Sequence, residues 1–392
     1  MKTRMKRAGA MILAGAMAMS CLGSVSASAA EPKKTVIGVA FYNDSSKPTT
    51  ATKAYLESLA DALNVEFKYT VFTQTDESAN LTKIQELISA GAEGIIGTID
   101  LGTTAIVEEC EAAGVYYAGY LCDFDTSYQT AYEAVYENPY FLGTISDGHN
   151  PDDIVLGTQT FESVMEYNER NPENPLTHMA MIIFPDWAYP AQAKQAEQFV
   201  EEIEKYNETA ETPITVDPID AESDVIPFTP LDSTYFSKHP DIDAIASFAA
   251  GTSFVYPTMV ASGVDGDLKL FTTGFEGGEE ENFGSAGKGT FQQNVITAIE
   301  TVTYPLVLLL NQINGVEFAD MPETAERIGC DQIIINSDED LEKFLVNIYN
   351  TGDAAGACWT GEDVLKMTAF GNPDATYADL VEAVTNLTLD NM

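Results

Sequence analysis

Basic residues are scarce: 19 Lys and Arg stand against 61 Asp and Glu, a formal net charge of −42 over 392 residues. Such an excess of acid excludes nucleic acid as a partner, since nothing would neutralise its phosphates. It also disfavours adsorption to anionic membrane surfaces. Histidine is rarer still; His149, His178 and His239 lie apart in the chain and form no H-E-x-x-H pair. The cysteines (Cys21, Cys110, Cys122, Cys330, Cys358) show no metal-ligand spacing. No G-x-S-x-G elbow and no G-x-G-x-x-G after the first strand are present, and the stretch Gly284 to Thr290 lacks the Ser or Thr that a phosphate loop carries directly after its Lys. These gaps argue against an enzyme and against any cofactor or metal. Beyond the amino terminus no apolar run reaches spanning length. The densest, Val302 to Leu310, is interrupted by Tyr304 and Pro305 and reads as a buried helix.

The chain itself opens with Lys2, Arg4, Lys6 and Arg7, an apolar stretch from Ala8 to Leu22, and the small-residue run SVSASAA. Residues 1–30 therefore read as a secretory signal, too short to span a membrane. Removing it takes away four basic and no acidic residues, so the net charge moves from −42 to −46, 15 basic against 61 acidic. Ala18-Met19-Ser20-Cys21 leaves a second reading open, a lipid anchor on Cys21. The exported context also raises a Cys330–Cys358 disulfide as a hypothesis.

From Ile84 to Leu121 the pattern runs helix, strand, helix, strand: IQELISAGAE, GIIGTID, TTAIVEECEAAG, VYYAGYL. Apolar residues recur at helical spacing and each helix stops at a Gly, while the strands are short apolar runs of the kind buried in parallel sheets. TVIGVAFY (35–42), a helix over 49–63 and a strand over 65–72 precede this unit. Residues 123–150 show no clean period and read as a long connection. A second run follows, with strands at MAMIIF (179–184), 244–248 and KLFTTGF (269–275). Strands and helices alternating in this way predict an α/β protein with two parallel sheets. Polar residues beyond the carboxyl ends of such strands are where open sheets bind small molecules, and Asp100, Asp123 and Asp125 stand there.

In order, TVIGVAFYND, IQELISAGAEGIIGTID, EAAGVYYAGYL, DIVLGTQTF, AQAKQAEQFVEEI, PDIDAIASFAAG, GDLKLFTTGFEGG and GTFQQNVITAIE resemble the type I periplasmic binding proteins, the sugar-type solute receptors of ABC importers, over roughly residues 35–336. The resemblance implies two Rossmann-like lobes joined by a three-strand hinge, with a ligand cleft between them. It assigns 31–147 with 294–320 to the amino-terminal lobe and 148–293 with 321–340 to the other, leaving 341–392 as an extension packed on a lobe. The family's ligand contacts carry over to Tyr42, Asn43, Asp44, Asp100, Glu276 and Gln293, and Asp123 joins these candidates as a strand-end residue. Three departures set this chain apart. No Asp-Arg pair occurs at Asp123, Ala249-Ala250-Gly251-Thr252 replaces the usual A-x-N-D, and no Arg occurs near Ala193.

Sugar recognition needs planar hydrogen-bonding groups and aromatic faces. Asp186, Trp187 and Tyr189, just past MAMIIF, supply both, although an aromatic cap on the lobe would use them equally well. For Asp100 and Glu276, turn or helix-end chemistry competes with ligand contact. The scarcity of Lys and Arg at the strand ends disfavours an anionic ligand and leaves open a neutral sugar, polyol or nucleoside, or a cationic ligand facing Asp44, Asp100 and Glu276. The expectation is an exported, monomeric receptor, extracellular, periplasmic or held at the cell surface. It would bind a sugar, polyol or nucleoside and present it to an ABC permease. A sensor-kinase receptor, or a secreted glycoside-active enzyme with two carboxylates, stand as alternatives.

Overall fold

The computed structural model describes residues 34–392 apart from 74, 125, 127–130, 148–154, 184–189, 218–232, 250 and 285–288. Strand β1 (Thr35–Phe41) alternates Ile37, Val39 and Phe41 toward one face and Ala40 toward the other, the period-2 pattern of a strand covered on both sides. Helix α1 (Lys47–Leu63) is capped by Ser46, whose hydroxyl accepts from the Thr49 amide, and Pro48 fits its first turn. It ends at Asn64 in the left-handed conformation (φ 53°), whose amide reaches back to Ala60 and Asp61. Then come β2 (Val65–Val71), α2 (Glu77–Ser89), β3 (Gly94–Gly97), α3 (Thr103–Ala113) and β4 (Tyr116–Tyr120). The stretch read as an irregular connection contains a short helix, α4 (Tyr132–Glu137), and a strand, β5 (Phe141–Asp147).

The chain then enters a second sheet through α5 (Leu156–Arg170), β6 (His178–Ile182), α6 (Pro190–Asn207), β7 (Thr215–Val216), α7 (Ser233–Lys238), β8 (Ala244–Ser247), α8 (Gly251–Ser262), β9 (Lys269–Thr273) and β10 (Phe291–Ile296). It returns by a 3-10 turn over Ile299–Val302 into α9 (Thr303–Ile313). Every residue of α9 from Thr303 to Asn311 is buried, as a helix apolar on all sides must be. β11 (Arg327–Cys330) and β12 (Ile333–Ile335) complete the sheets.

Strand order is β11-β5-β4-β3-β1-β2 in the first sheet and β12-β10-β9-β8-β6-β7 in the second. All pairs are parallel except β10–β12. The chain thus crosses between lobes after β5, after β10 and between Cys330 and Ile333. The last crossing corrects one boundary: residues 327–330 pair with β5 in the first lobe, so the 321–340 segment is split between the lobes. Its cause is the short strand RIGC, which seeks an edge partner beside β5.

Beyond β12 lie α10 (Asp338–Phe344), α11 (Ile348–Thr351), α12 (Gly361–Met367) and α13 (Tyr377–Thr385). One apolar core includes β1 and α9 of the first lobe, Ile182, Ile245 and Phe275 of the second, and Phe344, Val364 and Val384 of this extension. The extension is therefore packed on both lobes, and two separate cores cover the outer sheet faces.

Candidate ligand-binding site

The first lobe brings the ends of β1, β3 and β4 together. After β1, the Asn43 carboxamide oxygen accepts from the amides of Ser45 (3.1 Å) and Ser46 (2.9 Å), while Tyr42 Oη lies 3.2 Å from Ser46 Oγ. Asn43 thus shapes its own turn, and Asp44 beside it is exposed. After β3, the Asp100 carboxylate accepts from the backbone amides of Phe124 and Asp123. Burial, and next the Asp123 charge, push its pKa up to about 6 against those bonds. The loop wrapped around it places Leu121 (φ 55°) and Phe124 (φ 39°) in the left-handed region. Side chains adopt that region at a cost, which the surroundings must meet. Here Thr144 Oγ1 donates to the Cys122 carbonyl (2.9 Å) and the Cys122 thiol to the Gly97 carbonyl (3.3 Å).

Asp123 itself is not free. Arg327 Nε donates to its carbonyl and to Oδ1, each at 2.8 Å, and Nη2 donates to the same oxygen. The cation missing from Asp123's own segment arrives from β11, 204 residues away. Beside this pair runs a groove of about 460 Å³ lined by Phe124, Thr126, Glu133, Tyr136, Ala325 and Arg327.

In the second lobe, β9 is followed by Gly274 (φ 92°), where a Cβ would sit 2.8 Å from Thr252 Oγ1 in the first turn of α8. Glu276, two residues on, is half-buried and accepts from the Lys47 amide at 3.0 Å, joining the lobes directly. Burial raises its pKa against that bond and the Lys47 charge. Glu279 anchors the same loop, accepting from the amides of Glu276 (2.7 Å) and Gly277 (2.6 Å). Gln293 points into the lobe, where its Nε2 donates to Thr160 Oγ1 on α5 (3.0 Å). The next residue, Asn294, faces Gly274 and donates to its carbonyl (2.8 Å). Asn294 Oδ1 and Thr252 Oγ1 are buried without a hydrogen-bond partner among the described residues. Buried polar atoms are nearly always paired; Gln293 Oε1, on the other face of β10, is unpartnered among the described residues as well. Asp186, Trp187 and Tyr189 lie outside the described residues.

Two histidines thought separate meet elsewhere. His178 Nε2 and His239 Nδ1 each lie 2.8 Å from an oxygen of Asp217, at the far end of the second sheet. His149 lies outside the described residues. Cys110, Cys122, Cys330 and Cys358 form no disulfide, which removes the Cys330–Cys358 pairing: Cys330 is buried on β11 and directed to the Ser146 carbonyl. Among the described residues no group of three or more His, Cys, Asp or Glu side chains suits a metal, and no helix is long and apolar enough to cross a membrane.

No family model and no curated protein matches this sequence. Solved structures do. A solute-binding protein from Burkholderia graminis C4D1M in complex with D-arabinose is 15% identical, with TM-score 0.53 over 79% of this chain and 98% of its own. One from Agrobacterium vitis bound with α-D-tagatopyranose is 13% identical, TM-score 0.54, over 83% and 99%. One from Actinobacillus succinogenes 130z with bound D-allose is 12% identical, TM-score 0.55, over 77% and 98%. The fold is that of the type I periplasmic binding proteins.

Proposed function

We propose that this chain is an exported solute-binding receptor that encloses a neutral, hydroxyl-rich small molecule, a sugar or polyol, and delivers it to an ABC permease. The observation that carries this reading is the pair of buried oxygens, Asn294 Oδ1 and Thr252 Oγ1, beside Gly274 just past β9 in the second lobe. Oxygens of this kind match the O–H donors of a carbohydrate. The first lobe offers Tyr42, Asp44 and Asp100. Neither Arg327, held by Asp123, nor Lys47, bonded to Asn350, is left over for an anion. Carboxylates and amides without a spare cation suit hydroxyls and repel phosphates or carboxylic acids. The fold's likeness to sugar receptors supports the same class, and Asp186, Trp187 and Tyr189 remain candidate contacts. The reading needs no catalytic step. Export follows from residues 1–30, with Cys21 as a candidate lipid anchor.

A thermal-shift panel of sugars, polyols, nucleosides, amino acids and polyamines tests it on the chain from residue 31. A true ligand at a hundred times its Kd stabilises by about 2.7 kcal/mol. A rise in Tm with sugars or polyols is expected. A rise confined to amino acids or polyamines would overturn the ligand class.

A further inference from the structure

Residues 338–392 are not needed to complete either sheet, yet they touch both lobes and two of the three crossings between them. We propose that this segment is a strap that sets the angle between the lobes. It leaves the second lobe through α10, whose last residue Phe344 is fully buried and meets the Phe275 ring with centroids 4.6 Å apart. Phe275 directly precedes Glu276 at the cleft. Four residues after Phe344 the chain reaches the first lobe, where α11 lies on α1. There Asn350 Oδ1 accepts from Lys47 Nζ, and the same ammonium stands 5.0 Å from the centre of the Phe275 ring. Tyr349, 4% exposed, sets its ring 5.4 Å from that of Phe344.

Farther along, the strap fastens the crossings. Glu300, just past the second one, is fully buried, and its Oε1 accepts from the Cys358 amide at 3.3 Å. Asp331, inside the third, donates its amide to the Thr385 carbonyl at 3.1 Å. Opening the cleft swings the end of β9 away from the first turn of α1. That motion must draw Phe344 off Phe275 or α11 off α1, and twisting the crossings must strain the Glu300 and Asp331 contacts. The cleft is consequently held near one angle in the absence of ligand. Hinge motion in two-lobed receptors runs through a few such segments, and a strap across them limits its range. The inference holds whatever ligand the cleft takes.

Solution X-ray scattering tests it. The chain from residue 31 is expected to have a radius of gyration near the compact value of about 21 Å. Phe344→Ala, folded by circular dichroism, should have a larger radius, and Phe344→Leu, which keeps an apolar contact, should restore it. An unchanged profile in folded Phe344→Ala overturns the proposal. Hydrogen exchange on the unaltered chain gives a reading that does not depend on that variant folding. The amides of Asn350, Thr351 and Gly352, bonded within α11, should be protected like those of β9. Exchange within seconds would show the strap unfastened and overturn it.

Discussion

Gln293 and Asn294 are adjacent in sequence and face opposite sides of β10, because side chains alternate along a strand. Resemblance gives Gln293 as a ligand contact. Its Nε2 donates to Thr160 and its Oε1 is buried without a partner among the described residues, while Asn294 Nδ2 donates to the Gly274 carbonyl and its Oδ1 is likewise unpartnered. Either amide suits a hydroxyl chemically, and Asn294 is the one beside Gly274, two residues before Glu276. Asn294→Ala should therefore weaken sugar or polyol binding by about 1–2 kcal/mol, roughly 5- to 30-fold in Kd by titration calorimetry. Gln293→Ala should chiefly lower Tm, since it strands Thr160 in the core. Asp100 carries a second residue-scale prediction. Its folded pKa, about 6, exceeds the ordinary carboxylate value. A raised pKa means the folded state holds the proton more tightly. Stability is thus greatest below the unfolded value and falls as pH rises through about 6, by at most about 3 kcal/mol. Asp100→Asn should flatten Tm between pH 4 and 7, and a Tm profile matching the unaltered chain would remove the shift.

At the scale of elements, long amphipathic helices and apolar strands were legible, because periodicity and Gly stops survive in a single sequence. β5 and β11 were not. FLGTISD is broken by Gly143 and polar at its end and RIGC is only four residues long; β5 pairs with β4 on one side and β11 on the other. The same limit hid Arg327, whose partner Asp123 no sequence spacing could reveal. His178, Asp217 and His239 show a similar convergence, uniting β6, the end of β7 and the residue after α7. Burial lowers the His178 pKa, but the hydrogen bond and charge of Asp217, with Asp241 behind, outweigh it and raise the net value. Burial likewise raises Asp217, yet the two imidazoles outweigh it and the net shift is downward. The histidine therefore contributes stability below its unfolded pKa and loses it as pH rises through the folded one. The carboxylate contributes above its own unfolded pKa and loses that contribution in acid. Stability from this cluster should peak between the two, near pH 5–6. Asp217→Asn should abolish the fall in Tm from pH 6 to 8, and a fall of the same size in the variant would place its origin elsewhere.

For the whole molecule the dominant fact is charge. With residues 1–30 removed, a net −46 is confined to one compact body. Described pairs such as Lys83–Glu86, Lys205–Glu202 and Lys366–Asp363 are exposed neighbours on single helices. Each is worth a few tenths of a kcal/mol, so they cannot offset repulsion among the remaining carboxylates. Self-repulsion of this kind disfavours the compact state and is long-ranged in dilute salt. The Debye length falls from about 30 Å at 0.01 M to about 8 Å at 0.15 M, from the span of a lobe to that of a side chain. Two effects then oppose each other on adding salt: local ion pairs weaken, while lobe-wide repulsion is relieved. The second should win, because acidic residues outnumber basic ones by more than three to one. Tm should rise by a few degrees between 10 and 150 mM sodium chloride. That salt is preferable to sulfate, whose exclusion from protein surfaces raises Tm for a different reason. A Tm that falls over this range would mean that local pairs, and with them the Arg327–Asp123 contact, contribute more to the fold than the net charge costs it.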